Sequence, residues 1–536
     1  MDKALRMGRD STSGSFQLFI GKTVSTVIMA IGTIILGLLI LEADYGFYTI
    51  ALVPAATIAL FRDWGVASAM TKYCAEYRAA NKEGELREII VSGLTFEIAA
   101  GVALTVFSFL VANFIALAIF HKPESTFLIA LASLTIFFGA LYNTSQSIFV
   151  GFERMGLVSC TIICQAIAQC VLPTLLVYAG YGAYGAVLGY VFSFLVVGVV
   201  SIVLLHFAIF RKLGSNTTSN SNIRQTLKPL LRYGIPLAIA TILGGALYQF
   251  YLFMMASFVD VVMIGNYKIA TNFAVLLALF TAPIATVLFP AFSKLDPRNE
   301  QQLLKTVFTA SVKYTTLFLV PATMVMMVLS GPIVGTLYGD KWSYAPPFLA
   351  LYIISNLYVI FGSFSAPSLF TALGETKMLM KLNMLTLAIG VPIAFLLIPQ
   401  FGIFGVILAS LTAGLPGWFV GLYWLWKHYG TKVDFQSSGK ILLASSIAAI
   451  ITYLFQSFFV AAAWMVLTTG VMLFLAIYLI VLPLIGAINQ TDVNNLRAMF
   501  SGLGIISKLI EIPLTLVEKS LRIRITRNQQ PEMRKQ

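Results

Sequence analysis

Apolar stretches of about 20 residues recur along the chain from Leu18 to Ile485, separated by short polar connections. About fourteen are predicted as membrane-spanning helices: 18–41, 45–71, 89–120, 127–149, 157–178, 184–210, 233–258, 267–292, 314–337, 348–373, 382–398, 403–426, 441–460 and 464–485. A helix of this length crosses a hydrocarbon core of about 30 Å. Helix is the expected form because lipid offers no partner to an unpaired backbone group. The first stretch follows Lys3, Arg6 and Arg9, is too long for the apolar region of a signal peptide and has no evident cleavage site, so it is read as a retained span.

The polar connections alternate in charge. One set holds Lys72, Arg78, Lys82 and Arg87, then Arg154, then Arg211, Lys212, Arg224 and Lys228. It continues through Lys294, Arg298 and Lys305, then Lys377 and Lys381, then Lys427, Lys432 and Lys440. The other set has little beyond Lys122 and Lys341 and carries Glu42, Asp44, Glu124 and Asp340. Positively charged loops stay in the cytoplasm, which places both termini there and requires an even number of spans.

The pattern also repeats. Tyr45-Gly-Phe-Tyr-Thr-Ile-Ala51 resembles Ile264-Gly-Asn-Tyr-Lys-Ile-Ala270, and Ala59-Leu-Phe61 recurs in the same register as Ala278-Leu-Phe280. Tyr181-Gly-Ala-Tyr-Gly-Ala-Val-Leu-Gly189 resembles Phe401-Gly-Ile-Phe-Gly-Val-Ile-Leu-Ala409 at nearly the same offset. The second span pairs with the eighth and the sixth with the twelfth, in the same orientation. The expected organisation is a six-helix bundle over 1–210, a cytoplasmic linker over 211–228, a second bundle over 229–428, two further spans over 429–490 and a tail over 491–536. The linker core 214–222 is low in complexity, and its glycosylation-like Asn216-Thr217-Thr218 lies on the cytoplasmic side. The tail is amphipathic (Leu496, Met499, Phe500, Ile505, Ile506), then basic (Arg522, Arg524, Arg527, Arg534, Lys535), as suits a helix on an anionic leaflet. Pro513 is expected to break or kink that helix.

Composition agrees with an all-α polytopic membrane protein. Charged residues are 11% of the 536, against roughly 25% in a soluble domain, and mean hydropathy is +0.89. The net charge of +13 follows the loop alternation, so it reports topology and not nucleic-acid binding. Of the four cysteines, Cys74, Cys160, Cys164 and Cys170, three lie in one apolar stretch without His or carboxylate company. They are read as small buried hydrophobes, with no metal site and no cofactor expected.

Several short motifs, in order, carry a family resemblance. They are Tyr45-Gly-Phe-Tyr-Thr-Ile-Ala51, Asp63-Trp-Gly-Val-Ala-Ser-Ala69 and Gly151-Phe-Glu-Arg-Met155, followed by Leu231-Arg-Tyr-Gly-Ile-Pro236, Gly265-Asn-Tyr-Lys-Ile-Ala270 and Tyr338-Gly-Asp-Lys-Trp342. In these the chain resembles the multidrug/oligosaccharidyl-lipid/polysaccharide exporter superfamily, and within it the polysaccharide (O-antigen type) flippases. The resemblance implies two six-helix bundles around a central cavity. It also implies alternating access that turns a lipid-linked oligosaccharide on a polyprenyl phosphate or pyrophosphate carrier across the cytoplasmic membrane.

Such a head group needs a polar, preferably cationic path through the apolar core. Lys22, Arg62 and Lys268 lie inside or at the start of spans and are candidates for phosphate contact, Arg62 through its fork and the lysines as point charges. The alternative is a structural ion pair or snorkelling, the reading preferred for Lys313. Glu97 lies at a depth similar to Arg62, so it and Asp63 are candidates for coupling or gating. On a continuous helix Asp63 points about 100° from Arg62 and is expected to pair across helices. Asn143, Gln146, Gln165, Gln169, Gln249 and Asn272 offer donors and acceptors for sugar, or interhelical hydrogen bonds.

Two other classes stay open. One is a multidrug exporter of the same superfamily. The other is a membrane glycosyltransferase using Glu42 and Asp44 as an acidic pair in the first outer loop, although this chain lacks long outer loops and the two are read as loop charges. His121, His206 and His428 form no catalytic constellation, and no enzymatic activity is expected. Expected partners are the lipid-linked oligosaccharide, membrane lipids and a coupling H⁺ or Na⁺, with the protein a monomer.

Overall fold

The computed structural model describes residues 2–213, 223–293, 295–296, 299–500 and 511–521. Among these the chain is helical without a strand. In order the helices are α1 (Asp2–Leu39), α2 (Glu42–Ala59), α3 (Val66–Ala79), α4 (Glu83–Phe114), α5 (Thr126–Ala132), α6 (Leu134–Gly151) and α7 (Met155–Leu176). Then come α8 (Gly182–Ala208), α9 (Ile223–Phe258), α10 (Val261–Ser293), α11 (Gln301–Val328), α12 (Ser330–Tyr338), α13 (Ala345–Tyr352) and α14 (Ser365–Ala372). The last six are α15 (Thr376–Phe401), α16 (Ile403–Ala413), α17 (Leu415–Tyr429), α18 (Phe435–Phe458), α19 (Ala463–Ile485) and α20 (Gln490–Phe500).

Each predicted span falls on helix, but the expected fourteen are not fourteen unbroken helices. Among the described residues ten stretches are long and apolar enough to cross a membrane, or eleven if a bent pair counts as one. Four causes account for the difference. The eighth span enters only as the shorter apolar helix Val261–Leu277 among the described residues. The second span breaks between α2 and α3. The tenth bends by 53° between Ala345–Phe361 and Ser365–Ala372, where Gly362 takes a left-handed φ of 77°. The fifth and sixth run together as one stretch, Met155–Lys212, reversing at Gly180 (φ 92°) and Gly182 (φ 50°). Large apolar side chains such as Phe107, Leu110, Phe114 and Met472 stay exposed, as a lipid-facing surface requires.

The chain divides into two compact units. The first comprises Met1–Ile269 with Leu387–Ala409, the second Ala270–Thr386 with Ser410–Gln536. In the first, α1 lies on α7 at small residues: a Cβ on Gly21 or Gly32 would collide with Ser159 or Cys170. Cys170 packs closely there but is only half-buried, not the buried thiol expected. Cys160 is exposed and Cys164 only half-buried; Cys74 alone is a buried thiol among the four. It lies with Met70, Ile89, Phe149 and Leu205 in the core below α3, α4, α6 and α8. In the second unit α11 is central, and Tyr478 Oη donates to the Leu317 carbonyl at 2.9 Å.

Beyond α19 the apolar face of α20 is buried on protein, with Val493 and Leu496 0% and 2% exposed. Of the residues expected to face the leaflet Leu496 is thus buried, while the side chains of Met499, Phe500, Ile505 and Ile506 lie outside the described residues. Lys313 is no snorkeller: its ammonium is 2.6 Å from Asp492 of α20. Pro513 lies in the helical stretch 511–521, and residues 501–510 before it lie outside the described residues. The linker core 214–222 and the basic residues Arg522 to Lys535 lie outside the described residues.

Candidate functional site

A buried ion pair sits where the second span breaks. After α2 the chain turns through Leu60 to Gly65, with Trp64 and Gly65 left-handed at φ 48° and 76°. Gly65 is required twice over. Its φ suits glycine, and a Cβ would lie 2.0 Å from the carbonyl oxygen of Gly234 on α9. Asp63 restarts the helix by accepting the Ala67 amide at 2.7 Å through Oδ1, the capping role for which a short carboxylate is suited. Arg62 and Asp63 therefore do not share a continuous helix, and the expected 100° separation does not apply.

Arg62 is 7% exposed and Glu97, on α4, 1%. Arg62 Nε lies 3.3 Å from Glu97 Oε2. Neither the Nε nor either carboxylate oxygen has a well-aligned hydrogen bond among the described residues, so the contact is an ion pair. The Asp63 carboxyl also approaches Glu97, placing two carboxyls beside one guanidinium. Arg62 Nη1 faces Gly139 of α6, next to Phe194 of α8. Phe194 continues an aromatic column: its ring is 5.2 Å from Tyr190, Tyr190 is 6.0 Å from Tyr48 and Tyr48 stacks on Tyr45 at 5.8 Å. Hydropathy alone does not distinguish this column from core.

The other sequence candidates are dispersed. Gln146 Nε2 donates to Thr161 Oγ1 at 2.7 Å, the interhelical alternative to sugar contact. Thr57 Oγ1 reaches Gln249 Oε1 at 3.4 Å, joining α2 to α9. Gln165 and Gln169 are half-buried on α7, while Asn143 and Lys22 are exposed. Lys268 and Asn272 lie on α10, both half-buried.

Glu42 and Asp44 are not loop charges: they occupy the first turn of α2, where the helix dipole favours anions. Glu42 Oε2 accepts from Asn266 Nδ2 at 2.8 Å. The repeat-related glycines meet there too, since a Cβ on Gly46 would strike the Val261 carbonyl and one on Gly265 the Glu42 carbonyl. Lys122, in the connection before α5, donates to the Ala256 carbonyl at 2.7 Å near the end of α9. Burial holds its ammonium below the ordinary lysine value, partly offset by Asp260. Neither contact had a sequence signal, because each joins residues more than a hundred positions apart.

The long apolar helices define a polytopic α-helical membrane fold. Solved structures share it. The lipid II flippase MurJ in an inward closed conformation superposes with a TM-score of 0.69 at 16% identity, covering 87% of this chain and 97% of that one. An inward-facing multidrug resistance MATE family transporter of the MOP superfamily gives 0.62 at 15% identity, covering 77% and 98%. The chain belongs to the polysaccharide biosynthesis protein family, whose profile matches residues 35–347, more than half of the sequence.

Among curated relatives, the probable low-salt glycan biosynthesis flippase Agl15 of Haloferax volcanii is 23% identical over 237 residues, 44% of this chain and 49% of that protein. The match thus spans about half of that relative's length. The lipopolysaccharide biosynthesis protein WzxC of Escherichia coli is 22% identical over 457 residues, 83% of this chain and 84% of that protein.

Proposed function

We propose that this protein flips a lipid-linked oligosaccharide across the cytoplasmic membrane by alternating access, with Arg62 as the contact for the anionic head group. The observation that carries the reading is the Arg62–Glu97 ion pair, buried at a break in a membrane span. Charges at such depth are costly and mark transport pathways more often than packing. The names of the Haloferax and Escherichia relatives point to the same substrate class.

In this mechanism the phosphate of the carrier competes with Glu97 for the Arg62 fork. Glu97, released beside Asp63, takes a proton from water, so the site exchanges one anionic partner for another without gaining net charge. Release on the far side returns the proton and restores the pair. In this reading the coupling ion is H⁺, carried in the same direction as the head group. The polyprenyl tail stays in lipid while the sugar passes the aromatic column and the amides of Gln165, Gln169, Gln249, Asn143 and Asn272. Lys22 and Lys268 add positive charge. The two six-helix halves rock as a monomer with both termini in the cytoplasm, a reading supported by the loop charges.

The test is transport of a fluorescent lipid-linked oligosaccharide in proteoliposomes. Arg62→Ala abolishes flipping while the protein still inserts, and Arg62→Lys keeps partial activity because it keeps the charge without the fork. Recovery of transport in the double variant Arg62→Ala, Glu97→Ala would reject substrate contact, since it would show that the pair only neutralises itself.

A further inference from the structure

The ends of α3 and α8 and the starts of α4 and α7 enclose a cavity of about 260 Å³, unconnected with the Arg62 pair. Its floor is apolar, with Leu86, Phe152 and Ile209. Its walls carry four cations from three connections: Arg78 and Lys82, Arg154, and Lys212, with Glu83 the carboxylate among the lining residues. Two of the cations are held in place. Arg78 Nη1 donates to the Phe152 carbonyl and lies 3.4 Å from Glu153, while Lys82 is 2.9 Å from Glu85. The other two, Arg154 and Lys212, have no carboxylate within ion-pair distance among the described residues.

The backbone adds to this field. Lys82 and Arg154 are the N-cap residues of α4 and α7, and neither helix has a side-chain cap. Their first-turn amides therefore face the cavity end with the positive pole of the dipole. The adjoining turns are built on left-handed residues, Asn81 (φ 54°), a residue that takes this conformation readily, and Glu153 (φ 57°). Above the cavity, Val199, Val203 and Phe207 form an exposed apolar stripe down one face of α8, ending beside Ala208 and Ile209 on its wall.

We propose that this cavity binds the phosphodiester head group of an anionic phospholipid, with an acyl chain along the α8 stripe. A phosphate suits two guanidinium forks and two ammonium groups above an apolar floor. The stripe favours a lipid over free phosphate, because a soluble anion has no use for it.

The experiment uses the full chain in phosphatidylcholine nanodiscs doped with phosphatidylglycerol, with retained lipid counted by native mass spectrometry. Arg154→Ala with Lys212→Ala, which removes the two cations that hold no ion pair, lowers phosphatidylglycerol retention by about tenfold. The exposed pair Lys377→Ala, Lys381→Ala in the other unit leaves it unchanged. Arg154→Gln with Lys212→Gln, closer in size and polarity, gives the same loss and serves if the alanine pair does not fold. Equal loss in the Lys377/Lys381 control, or no loss in either Arg154/Lys212 pair, overturns the site. Displacement of the lipid by millimolar inorganic phosphate overturns the lipid assignment and makes the cavity a site for a soluble anion. The readout is lipid retention, so failure of the flippase reading leaves it untouched.

Discussion

Arg62 illustrates how a single side chain depends on its turn. On an unbroken helix its guanidinium would point wherever the 100° step sent it. Here the chain stops at Ala59, turns through Gly65 and delivers Arg62 to Glu97. The turn is held by the Asp63 cap and by the close approach of Gly65 to Gly234. Gly65→Ala is expected to destabilise the protein by at least about 1–3 kcal/mol, through strain at positive φ, with the added collision at Gly234. Gly244, a helical glycine on α9 with open space around its Cβ position, is the control. Gly244→Ala is expected to be neutral or stabilising by up to ~1 kcal/mol. Melting of the two variants in detergent measures the contrast, and equal melting temperatures would refute the role given to the turn.

At the scale of elements, α20 is docked by polar contacts to α11 beside its buried Val493 and Leu496. Lys313 and Asp492 lie 2.6 Å apart; Asp492 also accepts the Asn489 amide at 2.9 Å, and Asn495 donates to Tyr314 Oη at 3.0 Å. The helix is mostly polar outside Val493 and Leu496, so its own propensity would not hold it in one place. Asp492→Ala leaves the Lys313 ammonium without its partner and is expected to weaken docking by about 1–3 kcal/mol. Hydrogen–deuterium exchange should then rise across 490–498 and stay unchanged in α18 and α19. Unaltered exchange in α20 would show that apolar burial alone docks it. The start of α2 follows the same logic with different chemistry: Glu42, Asn266, Gly46 and Gly265 join two helices through a hydrogen bond and two backbone contacts that any larger side chain would block.

For the whole molecule, topology is the quantity that loop charge decides. Single cysteines placed at 216 or 220, in a background lacking the four native thiols, are expected to resist an impermeant maleimide in sealed cells and to react after lysis. Cysteines at 124 or 340, in the acidic connections, are expected to react in both. Labelling of the linker from outside would invert the assignment and move Arg78, Lys82, Arg154 and Lys212 to the outer face. The expected superposition of 1–210 on 229–428 is tested by an experimental structure, in which the second span should overlie the eighth.

The sequence by itself determined the class, the approximate limits of the spans and the alternation of the loops. These depend on summed hydropathy and charge, which belong to a segment whatever it packs against. It also drew Arg62 and Glu97 together as candidates, because a charge within an apolar run is visible without a fold. Only the tertiary structure decided that the second span is broken, that Asp63 caps α3, that Lys313 meets Asp492 and that Glu42 and Lys122 reach the ends of α10 and α9. Each of these depends on which helix faces which. A helix tolerates an interruption when a neighbour satisfies the freed groups, and that neighbour can lie two hundred residues away, beyond the reach of any local pattern.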